Sequence, residues 1–387
     1  MSSRQQQHRV SPWTSWWVIG CQISTCPAAP TQSKQGDDVA YEETFLEALE
    51  LALEDLAKKK IKLAANAGMA VTKDLFEVLV KLVKDKGLDF SVAWVEGDVV
   101  LDTVQKMEKK DLVSICTGQT LEKWGLEPFF AHCYLGGIGI KAALDASADI
   151  VICGKVADAS PIIAAVDWYH GWQRTDFEKL ANALMAGHLI ECFTYITGNN
   201  PTGFKSLEWS AMGIFGYPIA EISPDEEVVI TKAQYTSGPV SVETCKERLL
   251  YEIQGMYYFH CDITAVINRV GFIWTGLDRV PMSGVRGIPP HKPTKVGLTA
   301  LGDCKSELHW AAVGLDIKEK ARMLELQIKA SLGSKLDRFT HFDIQIYGEV
   351  LENPKNQTLQ CWIYDWSPSQ DMVMRFCPPI LAALAST

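Results

Sequence analysis

Three short segments of this sequence place amide, carboxylate or amino side chains beside glycine, each just after an apolar run. They are Asn66 and Gly68 after 61–65, Glu96 and Asp98 after 90–95, and Gly154 and Asp158 after 149–153. Glycine lets backbone approach a ligand closely, and carboxylates there can orient a hydroxyl, hold a cation or move a proton. The same residue types also make ordinary turns, so one segment alone assigns nothing and the three together make a candidate site.

Other spacings carry weaker chemistry. His188 and Glu191, three apart on an expected helix, share a face and can form an acid/base pair, two metal ligands or a hydrogen-bonded structural pair. No third ligand is identifiable, so metal and cofactor stay unassigned. Thr236-Ser237-Gly238-Pro239, with Lys232 just upstream, precedes an expected helix. It can hold an anion at that helix's amino end, or simply lead into the cap at Ser241. With Thr244 instead of Glu at the third helical position, the capping box reads as incomplete. Gly137-x-Gly139-x-x-Ala142 has the form of a dinucleotide fingerprint. The segment before it, 129–133, is only a passable strand, and close helix packing is the favoured reading. No Walker loop, nucleophile elbow or His-Glu-x-x-His is present.

The elements that must position these residues alternate. Phe45, Leu49, Leu53 and Leu56 predict an amphipathic helix, followed by a strand at 61–65 and a helix from Thr72 ended by Gly87. A strand at 90–95, a helix at 99–109, a strand at 112–116, a helix at 135–146 and a strand at 149–153 continue the pattern. Such alternation predicts α/β architecture with a mainly parallel sheet, whose ligands bind at the carboxyl ends of the strands. After Pro161 come a helix through 175–187, a strand at 228–231 and a helix at 241–254. Short β-rich runs follow at 262–267, 295–300 and 341–347, interrupted by a helix at 315–332.

Length and composition fit this. The 387 residues are 47% hydrophobic and 22% charged, ordinary for a folded chain of two domains. A net charge of −10 argues against nucleic acid as partner. No run of about 18 apolar residues predicts a membrane span. The eleven cysteines are scattered without Cys-x-x-Cys, which reads as reduced thiols in a cytoplasmic protein. Residues 1–38 are Gln-rich at the start, carry Trp13, Trp16 and Trp17, and lack the apolar core of a signal peptide.

Taken in order, several motifs resemble one family. They include Asn66-Ala-Gly68, Trp94-Val-Glu-Gly-Asp98, Tyr134-Leu-Gly-Gly137, the segment from Ala148 through Gly154-Lys155 and Asp158 to Ser160, Ala186-Gly-His-Leu-Ile-Glu-Cys192, Gly216-Tyr-Pro-Ile-Ala-Glu221, Ile230-Thr-Lys232 and Ser283-Gly284. The chain is similar in these to the acyclic terpene utilisation AtuA family (DUF1446), fungal members above all, from about Tyr41 to Trp362. The resemblance implies an α/β domain, here 39–290, followed by a smaller ferredoxin-like α+β region, here 291–387 and divergent after about 365. It also implies acyl-CoA or carboxylic-acid metabolism, and no agreed catalytic residues. Departures are an irregular 1–38 where the family has a first strand and glycine-rich loop, Lys155 for the usual Arg, and Ser237 for Gly.

The resulting expectation is a cytoplasmic enzyme acting on a small carboxylic acid or acyl thioester at the strand ends, with homo-oligomerisation possible. Glu96, Asp98, Asp158, His188 and Glu191 are the expected catalytic residues, with Glu96 or His188 transferring the proton. Asn66, Gly68, Tyr134, Gly136, Gly137, Gly154, Lys155, Ser160, Lys232, Ser237 and Gly238 are the expected substrate-binding set. The rival from another class is a non-catalytic binding or assembly protein derived from such an enzyme; a nucleotide-dependent dehydrogenase is a distant third.

Overall fold

The computed structural model describes residues 41–207, 213, 215–302, 304–313 and 315–348, together with the strand backbone of 16–17 and 358–367. Apart from Trp16–Trp17, the irregular segment expected over 1–38 lies outside the described residues, as does the end of the chain after 367. The chain divides into two units, one of residues 1–120 and 128–299, the other of 121–127 and 300–387.

In the first unit, Lys62–Ala65 (β1), Val92–Val95 (β2) and Ile150–Cys153 (β3) form a parallel sheet with β3 in the middle, and Trp16–Trp17 pairs alongside β1. Ala64 and Ala93 both lie opposite Val151. All four residues of β3 are buried, as a strand covered on both faces requires. Leu63, Ala65, Ile150 and Ile152 pack on Glu43–Lys59 (α1) and Thr72–Asp85 (α2), whose buried stripes are Phe45, Leu49, Leu53 and Leu56, and Leu75, Leu79 and Val83. The alternate residues Ala64, Val151 and Cys153 face Ile140 and Leu144 of the helix Ile138–Asp145 (α3).

The predicted α/β class holds, but the parallel sheet is smaller than expected. The later strands of this unit form antiparallel sheets, Gly271–Phe272, Val280–Ser283, Val228–Lys232 and Pro218–Ile222 in one, and Arg286–Ile288, Thr264–Val266 and Tyr257–Phe259 in another. Short connections such as Ser223–Glu227, whose ends hydrogen-bond at 3.0 Å, leave no room for a crossover helix. Phe177–Ile190 (α4) is the apolar centre of this region, contributing Leu180, Ala183, Leu184 and Leu189 to one core with Val228, Ile230, Ile263 and Val280.

Two local expectations fail for a shared reason. The helix expected over 99–109 is only Leu101–Gln105, and 112–116 is no strand, keeping only a bridge between Val113 and Thr120. Residues 106–111 are almost all polar and Ile115 is exposed, so no buried face holds either element in place. Conversely, Pro128–Cys133, read as a doubtful strand, is one, and it pairs with Val296–Ala300.

The second unit builds Cys304–Val313, the helix Ile317–Leu332, His341–Tyr347 and Thr358–Ser367 into an antiparallel sheet with the last strand central. Leu324, Ile328 and Leu332 of the helix pack with Leu308, Trp310, Phe342 and Ile344 of the strands. Among the described residues no helix is long and apolar enough to cross a membrane.

Candidate functional site

The ends of β1, β2 and β3 are knitted together by hydrogen bonds. Past β1, the Gly68 N–H donates to the Cys153 carbonyl at 3.1 Å, and Asn66 beside it is buried. Past β2, buried Asp98 accepts the Lys155 N–H on Oδ2 at 2.8 Å. A Cβ on Gly154 would stand 2.3 Å from that oxygen, and one on Gly68 would stand 2.5 Å from Thr72 Oγ1. Both glycines are therefore there for close approach, within the protein itself. Burial raises the Asp98 carboxyl above its ordinary value, opposed by backbone N–H groups including that of Lys155. Gly154→Ala is expected to force this carboxylate aside at about 1–3 kcal/mol of stability, measured by urea unfolding, with Gly276→Ala, where the backbone is likewise not left-handed and a Cβ meets open space, reporting the backbone cost alone. An equal loss in the two variants would show that the Asp98 contact imposes nothing.

The next layer is cationic. The Lys155 side chain is 1% exposed, with Nζ 3.7 Å from Asp158 Oδ1 and 4.5 Å from the centre of the Tyr134 ring. Lys295 Nζ also stands 4.5 Å from that ring centre. Tyr134 is held by its N–H to the Lys295 carbonyl at 3.0 Å and by the Thr294 hydroxyl on its own carbonyl at 2.7 Å. Each ammonium gains from the ring's negative face, and the two gather positive charge around one side chain. Burial, with the Lys155 charge, drives His132 down to about 4, so its ring is neutral at pH 7.

Beneath this layer sits Asp262. Its carboxylate accepts the Gly137 N–H at 2.9 Å to each oxygen, the Ser160 hydroxyl at 2.7 Å and Arg174 at 2.6 Å. Arg174 also lies 3.5 Å from Asp167, whose carboxylate is fully buried. A Cβ on Gly136 would fall 2.6 Å from Asp262 Oδ1, and one on Gly139 would strike Val95. The Gly-Gly loop and the amino end of α3 thus receive an internal carboxylate in the position where a dinucleotide would put its pyrophosphate. His260, Cys261 and Asp262 bring donor atoms within 4.8 Å of one another. With its oxygens filled and a guanidinium alongside, however, Asp262 suits a cation poorly.

The remaining expected residues make their hydrogen bonds outside this cluster, although the His188 ring lies 5.2 Å from that of Tyr258, which flanks His260 at 6.3 Å. Glu96 is exposed and accepts the Trp94 indole N–H at 2.8 Å, folded back along its own strand. His188 and Glu191 do not pair with each other; both meet Arg248. The His188 Nε2–H donates to the Arg248 carbonyl at 3.0 Å, and the Arg248 guanidinium pairs with Glu191. Burial, then the Arg248 charge, pushes His188 down to about 3. Lys232 is spent on the protein itself, 2.6 Å from the Thr236 carbonyl in its own loop and 3.1 Å from Asp278. The Ser237 carbonyl accepts the Gly216 N–H, and a Cβ on Gly238, at φ +82°, would strike the Thr197 carbonyl. The helix Val242–Leu250 carries a complete capping box after all, Ser241 and Thr244 each accepting the other's backbone N–H, because a threonine hydroxyl reaches as a glutamate would.

Sequence reasoning passed over Asp262, His260, Arg174, Asp167 and Lys295. The available signal was Asp262 itself, a carboxylate directly before the apolar run 263–267.

No curated protein and no solved structure matches the chain. A family profile does, described as acyclic terpene utilisation family protein AtuA, over residues 24–386. The match takes in 24–38 and the residues after 365, both beyond the reach of the motif resemblance. With nearly the whole length matched, the chain belongs to the acyclic terpene utilisation AtuA family.

Proposed function

We propose that the strand-end cluster binds a small carboxylic acid or acyl thioester and acts on it by proton transfer. The observation that carries this reading is the convergence of Lys155 and Lys295 on one tyrosine ring, each ammonium 4.5 Å from its centre. Two ammonium groups held against one ring, with Asp158 answering only Lys155, raise the local positive potential and favour an anion beside them. Asp158, beside Lys155 and 34% exposed in its side chain, is the carboxylate of the cluster that solvent and substrate reach, and we assign it the proton. Asp98 acts through the backbone of Lys155, holding the loop that carries it. The β-α-β-β order of the second unit supports a partial ferredoxin-like fold there. Free thiols at every described cysteine support a reducing compartment, the cytoplasm.

Lys155→Met tests the site. Titration calorimetry with sodium butanoate and with butanoyl-CoA is expected to show binding by the unaltered chain and at least a tenfold loss in the variant, the scale of one charge-assisted hydrogen bond. Equal binding by the two proteins would remove Lys155, and with it the paired-lysine reading, from substrate recognition.

A further inference from the structure

Resting on that reading of the cluster, we infer that His260 is a neutral hydrogen-bond donor to an oxygen of the bound ligand. The Asp262 backbone N–H donates to His260 Nδ1 at 3.2 Å, so the ring carries its proton on Nε2. The side chain is 3% exposed, and Nε2 finds no acceptor among the described residues. Buried donors are almost always satisfied, so an orphaned one this deep marks a place where an acceptor belongs.

The surroundings specify that acceptor. Arg174 lies on the Asp262 side of the ring, and Asp158 and Lys295 act on it electrostatically. Tyr258 flanks it with ring centres 6.3 Å apart. Asp158 is engaged with Lys155, and Lys295 brings a second positive charge. An acceptor arriving here is favoured if it carries negative charge or develops it, as a carboxylate oxygen or a thioester carbonyl does. His260 is at the same time poorly suited to be a base. Taking a proton on Nδ1 would break the bond from the Asp262 N–H, and burial, which penalises an imidazolium, outweighs the Asp262 carboxylate 3.6 Å from Nδ1. The ring therefore polarises an oxygen while Asp158 handles the proton, a division of labour between a neutral imidazole and a carboxylate.

Ring-nitrogen NMR of the full chain labelled with 15N-histidine tests this, the His260 signals being assigned by their loss in His260→Gln. The free protein is expected to show His260 as the Nε2–H tautomer at pH 7. Saturating sodium butanoate or butanoyl-CoA should shift that N–H resonance downfield. By calorimetry, His260→Phe should bind at least tenfold more weakly, while His260→Gln, which keeps a donor, should stay within about threefold. A proton found on Nδ1, an unmoved Nε2–H resonance at saturation, or undiminished binding by His260→Phe overturns the inference. If the unaltered chain binds neither probe, the anion-site reading fails and takes this inference with it. If it binds and Lys155→Met weakens it, but His260→Phe does not, the inference alone fails.

Discussion

Replacing Asp262 with alanine is expected to cost the protein about 3 kcal/mol at pH 7, the low end of the roughly 3–5 kcal/mol seen when one partner of a buried ion pair is removed. Against a total stability of about 5–15 kcal/mol, that is a large share. The loss has three parts. The Gly137 N–H and the Ser160 hydroxyl both lose their acceptor. Arg174 keeps only Asp167, at 3.5 Å, in place of its 2.6 Å contact with Asp262. Because the Arg174 side chain is 35% exposed, water recovers some of this, which is why the low end applies. Asp262→Asn, which keeps one acceptor oxygen but no charge, should lose less than alanine. Urea unfolding of both variants and of Arg174→Met, combined as a double-mutant cycle, measures the coupling. A loss under about 1 kcal/mol in Asp262→Ala would mean that the Gly-Gly loop is held by packing against Ser160 and Ala164 instead.

How much of this was legible depends on distance along the chain. The parallel strands and their helices could be read because their signals are local: the apolar run of β3, the stripe Phe45, Leu49, Leu53 and Leu56, and the glycine after α2. Three strand-end loops could be read for the same reason, and two of them meet through the Asp98 to Lys155 bond. Asp262 could not be placed that way. Its partners Gly137, Ser160 and Arg174 are 125, 102 and 88 residues away, and no spacing rule reaches across such gaps. His188 and Glu191 show the opposite error. Their helical spacing does suggest a pair, but spacing gives only a shared face, and the partner of both is Arg248, some sixty residues on. At Gly137 the favoured reading of close helix packing agrees with the structure, where a Cβ on Gly137 or Gly139 would strike Ser160 or Val95, and the helix amino end takes its anion from the protein's own chain.

The buried imidazoles should take stability from the fold progressively as the pH drops below about 6.5, the ordinary value for histidine. His188 is held down to about 3 and His132 to about 4, with His260 lowered in the same direction. Below 6.5 the unfolded chain takes up protons that these rings refuse in the fold, so the unfolded state gains, until the pH passes the folded values. Each ring contributes a slope of up to about 1.4 kcal/mol per pH unit in that window. Asp98 and Asp167 act in the contrary sense. Burial raises both, so their neutral forms favour the fold, and that contribution is lost as pH rises through their folded values. Asp262, held low because His260, Ser160 and Arg174 outweigh its burial, loses its contribution only below 3.8, as it is protonated in strong acid. The slope of the unaltered chain is thus a difference of opposing titrations, and the informative quantity is the change caused by one substitution. His132→Phe should flatten the dependence of unfolding free energy on pH between 6.5 and 5 by one proton, while leaving the contributions of Asp98 and Asp167 in place. Urea unfolding at half-unit pH steps gives both slopes, and identical slopes would mean that His132 takes up its proton in the folded protein. In that event neither burial nor the positive charge of Lys155 would be keeping the ring neutral in the fold.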